Sequence, residues 1–139
     1  MKLRLNKQTG FTLLELLVVI VIVGLLASYV APRYFKEADK SKIKVAQAQI
    51  EGLGKALDHY RLDVGRYPST EQGLAALMER PTNESKWSGP YLTKALPLDP
   101  WDRAYMYRSP GEHGEYDIFS YGRDSKAGGS EEDVDIVSW

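Results

Sequence analysis

Residues 13–31 read LLELLVVIVIVGLLASYVA, 19 residues with a single charge, Glu15. Widening the window to residues 8–32 adds no second one. As a helix, 25 residues extend about 37 Å at 1.5 Å per residue, against a bilayer core of about 30 Å. A helix that is apolar on every side has no place inside a chain of 139 residues, because too little protein remains to cover it. The stretch is therefore read as membrane-spanning. Its left flank, MKLRLNKQTG, has Lys2, Arg4 and Lys7 as its only charges. Basic flanks stay on the cytoplasmic side, so the N-terminus is expected inside and the remainder across the membrane. A cleaved secretory signal fits poorly: Ala27-Ser28 offers small residues, but the apolar run continues through Tyr29-Val30-Ala31.

The rest of the composition excludes more than it suggests. A formal charge of -1 provides no whole-chain signature for nucleic acid. With no Cys there is no disulfide framework, no cysteine nucleophile and no thiolate metal site. Two histidines, His59 and His113, cannot make a three-histidine zinc site. No nucleophile–base pair suggests itself, so no enzyme is expected. Glu15 is the oddity. A carboxylate in an apolar segment costs several kcal/mol unless it is neutralised, paired or close enough to the membrane face to snorkel. The sequence offers no obvious partner inside the segment, so one is sought at the chain's own terminus or on another protein.

At KQTGFTLLELLVVIVIVGLLA the chain resembles the type III signal of type IV pilins and type II secretion pseudopilins. The resemblance implies cleavage between Gly10 and Phe11 by a prepilin peptidase, N-methylation of the new Phe11 amine, and a role for Glu15 in assembly. In that role Glu15 pairs with the Phe11 amine of a neighbouring subunit, a cation and an anion neutralising each other in an apolar seam. Pro32 ends the apolar run and removes a helix hydrogen bond, so a kink or local unwinding is expected there. A boundary proline with no further role is the plainer reading of it. The family associates a proline at this place with helix melting during fibre packing.

Beyond Pro32, apolar or small residues fall at Ile43, Ala46, Ile50, Leu53, Leu57, Tyr60 and Val64, alternating three and four apart. That is one stripe on a continuous helix. A coiled-coil dimer is the rival use of it, against which Gly52 and Gly54 count mildly, each costing about 1 kcal/mol relative to Ala. The helix is expected from residue 11 to about residue 62, stopped by Gly65 and Pro68. RYPSTEQGLAALMERP then reads as turn, short helix and stop, with Ser69 and Gln72 at capping-box spacing. Residues 82–103 form a connector pinned by Pro90, Pro97 and Pro100 among Trp87, Tyr91 and Trp101. Strands are expected at 104–108 and 116–121, joined by PGEHGE, and at the C-terminal DIVSW, with Trp139 as a packed plug. YPSTEQGLAAL and DPW resemble patterns of the major pseudopilin. Asp102 and Ala104 stand where that family commonly has Gly and Pro.

Residues 115–135 hold seven acids, Glu115, Asp117, Asp124, Glu131, Glu132, Asp133 and Asp135, against Arg123 and Lys126. A solvated surface loop is the plain reading. Hard oxygens in a glycine-bearing loop also suit calcium, which takes six to eight, whereas magnesium wants tighter geometry. The EF-hand pattern is absent. GRDSKAGGSEEDVDI resembles the calcium loop of the major pseudopilin. That resemblance implies the side chains of Asp124, Asp133 and Asp135 as ligands, completed by the Tyr121 carbonyl and a carbonyl or hydroxyl at Ser130. Bound there, Ca2+ would fix the last strand in the folded state by mass action.

The fold class expected is α+β and pilin-like: a long N-terminal helix, membrane-spanning in its first half, on a small C-terminal antiparallel sheet with a calcium loop. The organisation expected is a leader at 1–10, an assembly helix at 11–32, an amphipathic periplasmic helix at 33–64 and a periplasmic head at 65–139. The resemblance implies a single-pass inner-membrane subunit that polymerises with copies of itself into a periplasmic pseudopilus and drives folded proteins through an outer-membrane channel. Its implied partners are the prepilin peptidase, minor pseudopilins, the inner-membrane assembly platform and the outer-membrane secretin. A type IV pilus subunit or a minor pseudopilin is the alternative. Pilins usually close a C-terminal loop with a disulfide, which a chain without Cys cannot form.

Overall fold

The computed structural model describes residues 10–139. The basic charges expected in the leader, Lys2, Arg4 and Lys7, lie outside the described residues. Helix α1 runs Leu13–Val64, 52 residues, and is followed by a 3₁₀ turn at Leu74–Leu77. Strands β1 (Met106–Arg108) and β2 (Asp117–Ser120), a 3₁₀ turn at Glu131–Asp133 and strand β3 (Ile136–Val137) complete the described elements. The chain divides after Glu37 into two compact units.

In the first unit α1 is apolar and uncovered. Leu14 is 68% exposed and Leu26 62%. The helix continues through Pro32, so the local unwinding expected there is not found. One lost hydrogen bond leaves the turns on either side intact, and their bonds hold the helical path. Ser28 donates to the Leu25 carbonyl at 2.7 Å, which satisfies its hydroxyl inside the helix. Arg33 donates to the Tyr29 hydroxyl at 2.7 Å and lies 4.7 Å from the ring centroid, placing a cation on an aromatic face at the end of the apolar run.

In the second unit the same helix is the spine of a packed head. Ala46, Ile50, Leu53, Leu57, Tyr60 and Val64 are buried, and Ile43 is half-buried against them. The stripe read from the sequence is thus the core face, with Leu74, Leu77, Tyr105, Ile118 and Ile136 opposite. Gly54 lies where the head comes close: a Cβ there would stand 3.0 Å from the Tyr116 hydroxyl. The helix ends at Gly65, whose φ of +89° and N–H bond to the Arg61 carbonyl at 2.7 Å form a left-handed cap.

The connector is pinned by its aromatics. Trp87 donates from Nε1 to the Ala76 carbonyl at 2.7 Å, and the Tyr91 hydroxyl donates to Asp63 at 2.8 Å. Tyr91 also meets Tyr60 and Trp87 edge-on, with centroids 5.6 and 5.8 Å apart. Ser69 and Gln72 do exchange their capping-box bonds, at 2.8 and 3.3 Å. They close the turn before the 3₁₀ helix, whose own N-cap is Gly73 with no side-chain bond.

The sheet is antiparallel in the order β1-β2-β3, with Met106 opposite Phe119 and Phe119 opposite Val137. All three strands are shorter than their aromatic content suggests. Tyr105 leaves the ladder to bond Gln49 on α1, and Tyr116 packs on Tyr67 and Tyr107. Trp139 is not the buried plug expected. It is 52% exposed and stacks on His113 with centroids 3.8 Å apart and planes 4° from parallel.

Candidate functional site

Two places carry the chemistry expected from the sequence, one in each unit. In the first, Gly10 and Phe11 precede α1 without regular structure, and Phe11 is 93% exposed. Glu15 sits in the first turn, where the helix dipole favours a negative charge. Glu15 finds a partner just ahead of the apolar segment, at its own helix end. Its Oε2 accepts the Thr12 N–H at 2.9 Å, and the Thr12 hydroxyl accepts the Glu15 N–H at 3.2 Å. The spacing Thr-Leu-Leu-Glu is a capping box, satisfying two orphan donors at once. The other carboxylate oxygen accepts no hydrogen bond among the described residues.

In the second unit the acidic loop leaves β2 through Tyr121 and Gly122. Gly122 has φ of +63°, and a Cβ there would lie 2.6 Å from the Val134 carbonyl oxygen, so glycine is required at this crossing. The loop is moored from the DPWDR turn. Buried Asp99 accepts from the Trp101 and Arg103 N–H groups at 3.0 and 2.9 Å and from the Ser120 hydroxyl at 2.6 Å. Arg103, 3.8 Å from Asp99, donates onward to the Gly122 carbonyl and the Ser125 hydroxyl.

The three aspartates share this loop but are not gathered. Among the described residues no three acidic or histidine side chains converge as a metal-holding group. Each aspartate is instead tied by one oxygen to a different donor. Asp124 accepts the Lys126 N–H at 3.1 Å, Asp135 the Gly128 N–H at 2.7 Å, and Asp133 the Arg123 Nε–H at 2.9 Å. The remaining oxygen, Oδ1, of Asp135 is buried and has no hydrogen-bond partner among the described residues. Ser130 caps the 3₁₀ turn, its carbonyl accepting the Asp133 N–H at 3.0 Å. Tyr121 packs edge-on against Phe119 at 5.4 Å. Arg123 reaches the other way to Asp39 on α1, at 2.9 Å. The hydrogen bonds that it donates to Asp133 and then to Asp39 raise the pKa of its guanidinium above the ordinary value. No mooring role was read from sequence for Asp99, Arg103 or Arg123: Asp99 entered only within DPW and Arg123 only as a basic residue among the acids. The one available signal was an aspartate inside an otherwise apolar, proline-rich LPLDPW.

With this geometry in place, comparison with known proteins is specific. Residues 33–139 match the family described as type II secretion system (T2SS), protein G, and residues 5–31 match the prokaryotic N-terminal methylation motif. The type II secretion system core protein G of Pseudomonas aeruginosa is 44% identical over 137 residues, 96% of each chain. Its counterpart in Aeromonas hydrophila is 48% identical over 138 residues, covering 96% of this chain and 94% of that one. Among solved structures, the major pseudopilin from the type 2 secretion system of enterohaemorrhagic Escherichia coli superposes with a TM-score of 0.62 at 37% identity. It covers 74% of this chain and 87% of its own. An exposed apolar helix, a helix-backed three-stranded head and a family match across the whole head converge, and the chain belongs to the type II secretion system protein G family.

Proposed function

We propose that this chain acts as the repeating subunit of a pseudopilus, held in the inner membrane by the first half of α1 until it enters the fibre. The family is one of structural, non-catalytic pseudopilins, and a type IV pilus role is set aside on that ground. The observation that carries the reading is the uncovered first half of α1, from Leu13 through Val30, on a chain whose head has its own core. Exposed apolar surface on this scale needs lipid or neighbouring subunits. Processing between Gly10 and Phe11 by a prepilin peptidase is supported by the exposure of that bond ahead of the helix and by the methylation motif. Polymerisation with copies of itself, and contact with minor pseudopilins, the assembly platform and the secretin, follow from the same family reading.

Glu15 then has two successive partners. Before assembly it caps its own helix through Thr12; in the fibre it meets the Phe11 amine of a neighbour. Negative-stain imaging of membranes producing the wild type and Glu15→Ala tests this. Fibres with the first and none with the second are expected; no fibres in either, or fibres in both, would overturn it.

A calcium role for the acidic loop belongs to the same proposal. Asp124, Asp133 and Asp135 supply hard oxygens, and the buried, unpartnered oxygen of Asp135 is the feature that fits a cation. The Tyr121 carbonyl and Ser130 would complete the shell. The ion would supply charge neutralisation among neighbouring acids and draw the separate carboxylates together. At a hundredfold excess over Kd the gain is about 2.7 kcal/mol. Melting in calcium and in chelator should differ by roughly 10 °C or more for a unit of this size. Identical midpoints would reject the calcium reading.

A further inference from the structure

We infer that Arg123 is a positioning residue that links the acidic loop to α1, so that Asp39, outside the ligand set, helps determine how tightly the loop holds a divalent cation. The inference rests on the calcium reading and goes beyond it. Two of the three aspartates are held by backbone N–H groups of their own loop, two and seven residues away. Asp133 is held differently. Its Oδ1 accepts from Nε of Arg123 at 2.9 Å, while Nη1 of the same guanidinium is fixed by Asp39 at 2.9 Å, 84 residues earlier in the chain. A guanidinium is planar and rigid, so anchoring one edge on α1 sets the orientation of the other. The second oxygen of Asp133 accepts no hydrogen bond among the described residues, which leaves it available to a cation.

As a contribution to stability this pair of bridges is minor, because all three side chains are at least partly solvated. As an outer partner of a ligand it has a larger lever: losing one typically weakens metal affinity by about 10–100-fold. Asp39 has a further effect. Its own charge also attracts a cation directly, a weak, screened part that does not depend on Arg123 and is the same in both backgrounds of the test below. Both effects have the same sign, so removing Asp39 should weaken binding.

The test is a double-mutant cycle read by calorimetric titration of calcium into the full chain in detergent, stripped of divalent ions. Asp39→Asn should weaken binding by roughly tenfold, the lower bound for an outer partner. In an Arg123→Gln background the same change should have an effect of less than about twofold, because the link is already cut. Equal weakening in both backgrounds would mean that Asp39 acts by charge alone, and would overturn the inference. So would no weakening in either. A wild-type chain that takes up no calcium defeats the calcium reading itself, whereas wild-type uptake with no coupling defeats the inference alone. Melts in chelator, expected within a few degrees of each other, check that the variants fold.

Discussion

Helix α1 carries two kinds of apolar residue on one uninterrupted backbone. Before Glu37, leucines, valines and isoleucines point in every direction and stay exposed; after it, most occupy one stripe and are buried, Leu57 completely, and only Val45 and Leu62 lie exposed outside it. The difference lies in pattern rather than in hydrophobicity. A stripe can be covered by a small sheet and a few turns, but a helix apolar all round needs a surrounding medium. The second half finds its partner within the chain, and the first half must find it outside. One helix therefore serves both as the spine of a folded head and as the part that lipid and neighbouring subunits contend for.

The largest effect should come from breaking this contrast in the head. Leu57→Ala removes a fully buried side chain and should cost about 3 kcal/mol, lowering the head's melting midpoint by more than about 10 °C. Ile22→Ala, in the uncovered half, should leave that midpoint unchanged. Equal losses from the two would mean that the halves are not energetically separate.

A smaller but still large effect is expected at the DPWDR turn. Asp99→Ala strands the Ser120 hydroxyl and the N–H groups of Trp101 and Arg103. At about 1–3 kcal/mol for a buried group left unpaired, a loss near 2 kcal/mol is expected in a denaturant melt. Because Arg103 then loses its carboxylate, the acidic loop should also become more susceptible to proteolysis. A variant with full stability and full loop protection would show that the turn does not moor the loop.

Acid should uncover a third, weaker difference. Burial alone would raise the carboxyl of Asp117, but the N–H groups of Glu112 and His113 and the His113 ring hold it below the ordinary value. A carboxylate depressed in the folded state stabilises above its unfolded pKa of about 3.9, and that stability is lost as pH falls through the folded value. Melting midpoints should therefore drop below about pH 4, and less steeply in Asp117→Asn. Equal slopes in the two chains would remove Asp117 from the account.

What could be read from the residues follows the distance over which their partners lie. The core stripe from Ile43 to Val64 was legible because helical period is local, and the capping box at Ser69 and Gln72 because its bonds span three residues. The same box at Thr12 and Glu15 was overlooked although its spacing is identical, because a charge in an apolar run directs attention outward to the membrane. Strand ends were overextended because Tyr105 and Tyr116 have the propensity of strand residues but are used to reach α1 and neighbouring rings. Arg123 was illegible for another reason: its partner Asp39 is 84 residues away, and nothing in either neighbourhood marks the pair.

The smallest effect concerns a residue whose backbone is left-handed although it carries a side chain. The φ of Asp102 is +64°, the conformation glycine adopts freely. The Asp102 N–H bonds the Asp99 carbonyl at 3.0 Å, so the turn is closed at the cost of local strain. A left-handed residue with a side chain costs about 1–2 kcal/mol, less for aspartate. Glycine would relieve that cost and lose about 0.4–1 kcal/mol to the greater freedom of the unfolded chain. Asp102→Gly should thus stabilise the head by about 0.5 kcal/mol, a rise of roughly 2–4 °C, whereas Asp102→Ala should destabilise it. Ser125, also left-handed at φ +61°, is a poorer test, because glycine there would remove the hydroxyl that Arg103 holds. If Asp102→Gly instead lowers the midpoint, the aspartate side chain contributes more to the turn than its backbone strain costs.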